Sequence, residues 1–172
     1  MNKIRSVFAG TPSFAIPSLE VLASRDDIEL VGIYTQPDKP AGRGKKIRES
    51  AVKLASTFLD ASVFQPRTLD TESELANFCS LRPELLVVAA YGLMIPQNFL
   101  EVPRHCINIH ASLLPKWRGA APIQRAIMNG DQKTGISIMR IVEKLDAGPV
   151  LNIRERKIED ADSTGTLTDK LA

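Results

Sequence analysis

Cysteine is scarce in this chain of 172 residues: Cys79 and Cys106 are the only two, and neither has a partner at metal-ligand spacing. That leaves no disulfide framework and no zinc-binding cysteine pair, and the expectation is two reduced, buried thiols in a cytoplasmic protein. Histidine is equally rare. His105 and His110 are the whole supply, and their odd separation on a strand points them to opposite faces, against a shared metal. No long apolar run occurs. The longest, Leu85 to Ala90, falls far short of the about 20 residues a membrane-crossing helix needs. Met1-Asn2-Lys3 leads straight into a strand-like stretch with no signal-peptide core. Net charge is also nearly absent, at +2, so a nucleic-acid partner has to be argued from local clustering.

Two familiar glycine signatures are missing as well. The first strand-to-helix turn, Phe8-Ala9-Gly10-Thr11-Pro12-Ser13-Phe14, lacks the second and third glycines of a dinucleotide fingerprint. It reads as a tight turn that starts a helix. No Gly-x-Ser-x-Gly surrounds a serine, so a nucleophile elbow is not supported, and Ser112 near His110 is a weak nucleophile candidate.

What is present suits one soluble domain with a real core: 44% hydrophobic and 24% charged residues. Ile4 to Ala9 reads as a strand, and Ser13 as the cap of a helix to Ser24 with Ile16, Leu19, Leu22 and Ala23 on one face. Strands come next at Ile28 to Thr35, Ala61 to Phe64, Leu85 to Ala90 and His105 to His110. Helices are expected over Ala51 to Leu59, Thr71 to Leu81, Pro96 to Leu100 and Pro122 to Asn129, with Gln36 to Ser50 a loop. Thr134 to Val142 and Val150 to Ile158 look like strands joined without a helix, and Thr164 to Leu171 opens another helix. This alternation predicts an α/β fold with a mostly parallel sheet, helices on both faces and an antiparallel extension. In such sheets the binding crevice lies at the carboxyl ends of the strands, near Gly10, Thr35, Ala90 and His110.

At one of those ends stands Cys106-Ile107-Asn108-Ile109-His110-Ala111-Ser112-Leu113-Leu114-Pro115, with Leu145-Asp146-Ala147-Gly148 further along the chain. Asn108 and His110 leave a strand by the same face. An amide and an imidazolium can together stabilise an oxyanion, and Asp146 can pair with His110 and set its tautomer. The plainer reading is a satisfied core histidine between two turn formers, and spacing alone does not separate the two. The other outlier is Pro37 to Arg48, where five basic residues face the single acid Asp38. Such runs are usually solvated loops, but its prolines and glycines also suit close approach to a polyanion.

Taken together, these segments resemble the methionyl-tRNA formyltransferase family. The resemblance runs in order through Phe8 to Pro12, Thr35 to Lys46, Ala89 to Gly92, Asn108 to Gln124 and Leu145 to Gly148. It implies a Rossmann-like formyltransferase fold and formyl transfer from 10-formyltetrahydrofolate to the α-amino group of methionyl initiator tRNA in translation initiation. It carries catalytic roles onto Asn108, His110 and Asp146. It places folate at Ser112, Leu113, Leu114 and Pro115, with Tyr91, Gly92, Leu93 and Met94 as further wall. It places the tRNA acceptor end at Arg43, Lys45 and Lys46. Folate is the co-substrate, and no metal is expected, nor any membrane; the implied enzyme is monomeric and cytoplasmic. Members of the family run beyond Ala172, so residues 1–172 are expected to be a catalytic domain incomplete at its C-terminus and lacking a tRNA-gripping β-barrel. Two rivals are a formyltransferase or hydrolase for a small amine, indifferent to the basic loop, and a non-catalytic RNA-binding fragment, indifferent to Asn108.

Overall fold

Apolar residues between a charged start and Gly10-Thr11-Pro12 make Ile4–Gly10 the first strand, β1. The computed structural model describes residues 3–41 and 46–172, the side chains of Ala41 and Lys46 excepted, in two compact units, Met1–Cys106 and Ile107–Ala172. In the first unit a 3-10 turn over Ser13–Ala15 leads into α1, Ile16–Ser24. The cap expected at Ser13 does not form, because Ser13 lies inside that turn and neither helix start has a side-chain cap. The buried stripe is Phe14, Ala15, Leu19 and Leu22, while Ala23 is exposed. Pro17 occupies the second helical position, where its missing N–H does no harm.

β2 is Ile28–Tyr34. The stretch expected as loop contains two short strands, β3 (Lys39–Ala41) and β4 (Lys46–Arg48), paired antiparallel. Three-residue strands with no apolar alternation leave no periodic signal. α2, Ala51–Ala55, is capped by Ser50, whose hydroxyl accepts from Lys53 N at 3.0 Å, and it tightens into a 3-10 turn over Ser56–Phe58. β5 (Ser62–Phe64), α3 (Glu72–Ser80), β6 (Leu85–Ala89) and α4 (Gln97–Leu100) come next in the chain. Thr71 caps α3 by accepting from Glu74 N at 3.3 Å. Cys79 near the end of that helix is exposed, which corrects the expectation of two buried thiols. Cys106 is buried, and burial pushes its thiol up to about 11.

β1 pairs in parallel with β2 and β6, and β2 with β5. Gly10, Tyr34 and Ala89 therefore end at one edge. Thr11 joins the loops there, its hydroxyl donating to Tyr91 O at 2.7 Å and accepting from Gln36 N at 3.4 Å. Val7, Phe8, Ile33, Leu86 and Val87 fill the core, and Phe78 packs on Tyr34 and Phe99 with ring centres 5.8 and 4.9 Å apart. β6 is buried from Leu86 to Ala89, as a continuous apolar strand must be.

β7 is His105–His110, and from Ile107 on it belongs to the second unit. α5 (Pro122–Met128), β8 (Lys133–Arg140), β9 (Val150–Lys157) and α6 (Thr164–Leu171) complete that unit. β7, β8 and β9 pair antiparallel in that order, as the helix-free connection of the last two predicts. Gly130, at φ +66°, ends α5, and Ser163 and Thr166 form a reciprocal capping box at the start of α6. Ala126, Met139 and Leu167 are fully buried between these elements. Among the described residues no helix is long and apolar enough to cross a membrane.

Candidate active site

Alternation along β7 sends Asn108 and His110 out on one face, opposite Met139 and Ser137 of β8. Asp146 arrives from the turn between β8 and β9, at φ +45°. A carboxylate can only accept, so the Asn108 amide must present nitrogen, and Nδ2 donates to Asp146 Oδ1 at 3.2 Å. Gly119 N donates to the other oxygen, Oδ2, at 2.8 Å. His110 Nδ1 lies 3.6 Å from that Oδ2, beyond direct hydrogen bonding, with both side chains about nine-tenths buried. On the far side of the ring, Nε2 is 2.9 Å from the carbonyl oxygen of Trp117, which requires a proton on Nε2. Asn108, His110 and Asp146 are thus brought together.

The Nε2–H of His110 is taken by Trp117 O, and its Nδ1 faces Asp146. Of the three side chains, the second N–H of the Asn108 amide is the donor without a partner among the described residues. The unusual backbone of Asp146 is braced two residues on. Gly148 approaches Arg140 so closely that a Cβ would sit 2.0 Å from Arg140 O, so no side chain is possible there. Trp117 also has a left-handed φ, of +57°. Backbone outliers of this kind collect at sites where surrounding contacts over-determine them.

The Ser112 to Pro115 turn is held from below. Ser137 donates to Ser112 O at 2.7 Å and accepts from Leu114 N at 3.0 Å, and Ser112 donates to Lys116 O at 2.5 Å. Ser112 is fully buried, Leu114 nearly so, Leu113 partly exposed and Pro115 exposed. Leu113 and Pro115 are the members of that turn that present surface. In the first unit Tyr91 is 2% exposed with its hydroxyl unpartnered, and desolvation raises its phenol well above the usual range. Gly92 and Met94 are exposed and Leu93 half-buried, so the turn offers Gly92, Leu93 and Met94 rather than the Tyr91 ring.

Arg43, Lys45 and the Lys46 side chain lie outside the described residues. The start of their segment is braced. Asp38 accepts from Lys53 Nζ at 2.6 Å and from Gln65 Nε2 at 2.7 Å, and these bonds hold its carboxyl below the usual range. Sequence reasoning does not find the Trp117 carbonyl, the Gly119 amide, Asp131 or Ser137 as parts of the site. A lone tryptophan in a polar turn is the one hint, and the others carry no local signal.

The family described as formyl transferase matches residues 3–172, and the chain belongs to that family. It is similar to the methionyl-tRNA formyltransferase of Methylococcus capsulatus, 52% identical over 170 residues, covering 98% of this chain and 55% of that protein. The methionyl-tRNA formyltransferase of Nitrosomonas europaea is 51% identical, with 98% of this chain and 52% of that one covered. The chain spans about half the length of these curated relatives. The phosphoribosylglycinamide formyltransferase structure from Anaplasma phagocytophilum matches with a TM-score of 0.79 at 19% identity, over 99% of this chain and 80% of that one. A sugar N-formyltransferase from Shewanella matches with a TM-score of 0.69 at 17% identity, over 96% and 62%. At that identity the likeness establishes the α/β formyltransferase fold.

Proposed function

We propose that this chain carries the catalytic part of an enzyme moving the formyl group of 10-formyltetrahydrofolate to the α-amino group of methionyl initiator tRNA, in translation initiation. The observation that carries the reading is the convergence of Asn108, His110 and Asp146 at the end of β7. The acceptor is supported by similarity to methionyl-tRNA formyltransferases over 98% of the chain and by the basic Arg43, Lys45 and Lys46.

The amine attacks the formyl carbon, the carbon–N10 bond breaks, and the proton shed by the amine ends on N10 of the departing folate. Asn108 offers its remaining N–H to the oxygen on which charge builds, while Asp146 holds the amide's other hydrogen. His110 moves the proton through Nδ1, alone or by way of a water held beside it by Asp146, whose Oδ2 lies 3.6 Å from that nitrogen. Leu113 and Pro115 supply apolar surface for the pteridine.

The test is formyl transfer to methionyl initiator tRNA by this chain, run beside the full-length Methylococcus relative. Asn108→Ala is expected to slow turnover roughly 10²- to 10³-fold with folate binding retained. Asp146→Asn is expected to abolish turnover. Undiminished turnover in Asp146→Asn would remove the carboxylate from the mechanism. Folate binding with transfer only to a small amine would move the acceptor away from tRNA.

A further inference from the structure

Trp117, whose carbonyl accepts from His110, is itself held through its side chain. Asp131, just beyond α5, has a side chain only 7% exposed. Its Oδ2 accepts from the Trp117 indole Nε1 at 2.7 Å, and its Oδ1 accepts from Asn129 Nδ2 at 2.7 Å and Lys116 Nζ at 3.1 Å. Its own backbone N–H donates to Ala126 O at 3.0 Å, which fixes the carboxylate relative to α5. The bonds from Trp117 and Asn129, with a smaller share from Lys116, hold the Asp131 carboxyl below its usual range. Lys116 is 62% exposed and its attraction is screened by water, so the indole and amide bonds do most of the holding.

Trp117 presents two groups in two directions: the indole to Asp131 and the carbonyl to His110 Nε2 at 2.9 Å. Its φ of +57° is a conformation that a bulky residue leaves readily unless tied at both ends. Relaxing that φ would rotate the carbonyl away from the imidazole. We infer that Asp131 is a positioning residue for His110, setting the ring's tautomer and orientation through the indole and carbonyl of Trp117. The catalytic consequence rests on the proton-transfer role proposed for His110; the effect on the imidazole does not.

The experiment is ¹⁵N NMR of the histidine side chains in the natural chain and in Asp131→Asn and Trp117→Phe. The chain has two histidines, and a His105→Gln background at an exposed position leaves one set of signals. The natural chain should show a protonated Nε2 at neutral pH. Each variant should shift the His110 signals toward a mixture of the two tautomers and lower kcat roughly ten- to hundredfold with KM for folate unchanged. Trp117→Phe breaks the indole bond to Asp131 while leaving the carboxylate and the Trp117 backbone carbonyl in place, so it serves if Asp131→Asn fails to fold. Unmoved His110 signals in a folded variant would overturn the proposal, whatever the activity. Moved signals with kcat unchanged would keep Asp131 as the positioner and remove His110 from the proposed proton transfer instead.

Discussion

Asp162 shows at the scale of one residue how much a carboxylate can hold. Its Oδ1 accepts from Thr166 Oγ1 at 3.0 Å and Lys170 Nζ at 2.5 Å, and its Oδ2 accepts from Glu159 N at 3.0 Å. The bond from Lys170 first, then the Glu159 N–H, bring its carboxyl down to about 2. An unfolded aspartate titrates near about 4, so these bonds stabilise α6 above that pH and are lost as the pH falls toward 2. Asp162→Asn should therefore unfold at lower urea than the natural chain at pH 7, with the gap closing on acidification to about pH 2. A gap of constant size from pH 7 to 2 would show that the carboxylate's charge is not what matters. Asp131 and Asp38 are shifted in the same direction, so acid weakens the Trp117 anchor and the brace at Asp38 in the same sense.

Among elements, β8 bears most directly on the site. One buried hydroxyl, Ser137, holds both ends of the Ser112 to Leu114 turn. Ser137→Ala leaves the Leu114 N–H and the Ser112 carbonyl without that partner, and the expected loss is about 1–3 kcal/mol of stability by urea unfolding. Loss of less than a few tenths would mean that the turn holds itself. Two residues earlier, a Cβ on Gly135 would lie 2.1 Å from Arg154 O and 2.6 Å from Leu113 Cδ2. Gly135→Ala must push β9 off β8 and also displace the Leu113 side chain. An overpacking loss of about 1–3 kcal/mol is expected, together with weakened folate binding measured by titration. Unchanged folate affinity in a destabilised Gly135→Ala would separate Leu113 from the ligand surface.

At the scale of the molecule, the near balance of charge gives the basic segment its significance. Replacing Arg43, Lys45 and Lys46 by alanine would turn a net charge of +2 into −1. If these residues meet tRNA phosphates, the slope of log affinity against log salt should fall by roughly 0.7 to 0.9 for each phosphate no longer neutralised. Filter binding at several salt concentrations measures it. An unchanged slope would reduce the segment to a solvated surface. The brace of Asp38, Lys53 and Gln65 ties Asp38 to the body of the first unit.

Much of this protein is legible without its tertiary structure. The β-strand and helix periods and the shared face of Asn108 and His110 arise from stereochemistry acting over a few residues. Their positions in the structure agree within one or two residues for most elements. The short β3 and β4 and the uncapped start of α1 are not legible, because three-residue strands and 3-10 turns carry no periodic pattern. The chemistry of the site is decided at longer range. Asn108 meets Asp146 across 38 positions, Leu114 meets Ser137 across 23, and Trp117 meets Asp131 across 14. The sequence by itself determined which groups were available and which pair shared a strand face. Tertiary structure alone determined that the His110 Nε2–H donates to the Trp117 carbonyl, because the turn carrying Trp117 is tied through its indole to Asp131, 14 positions further on.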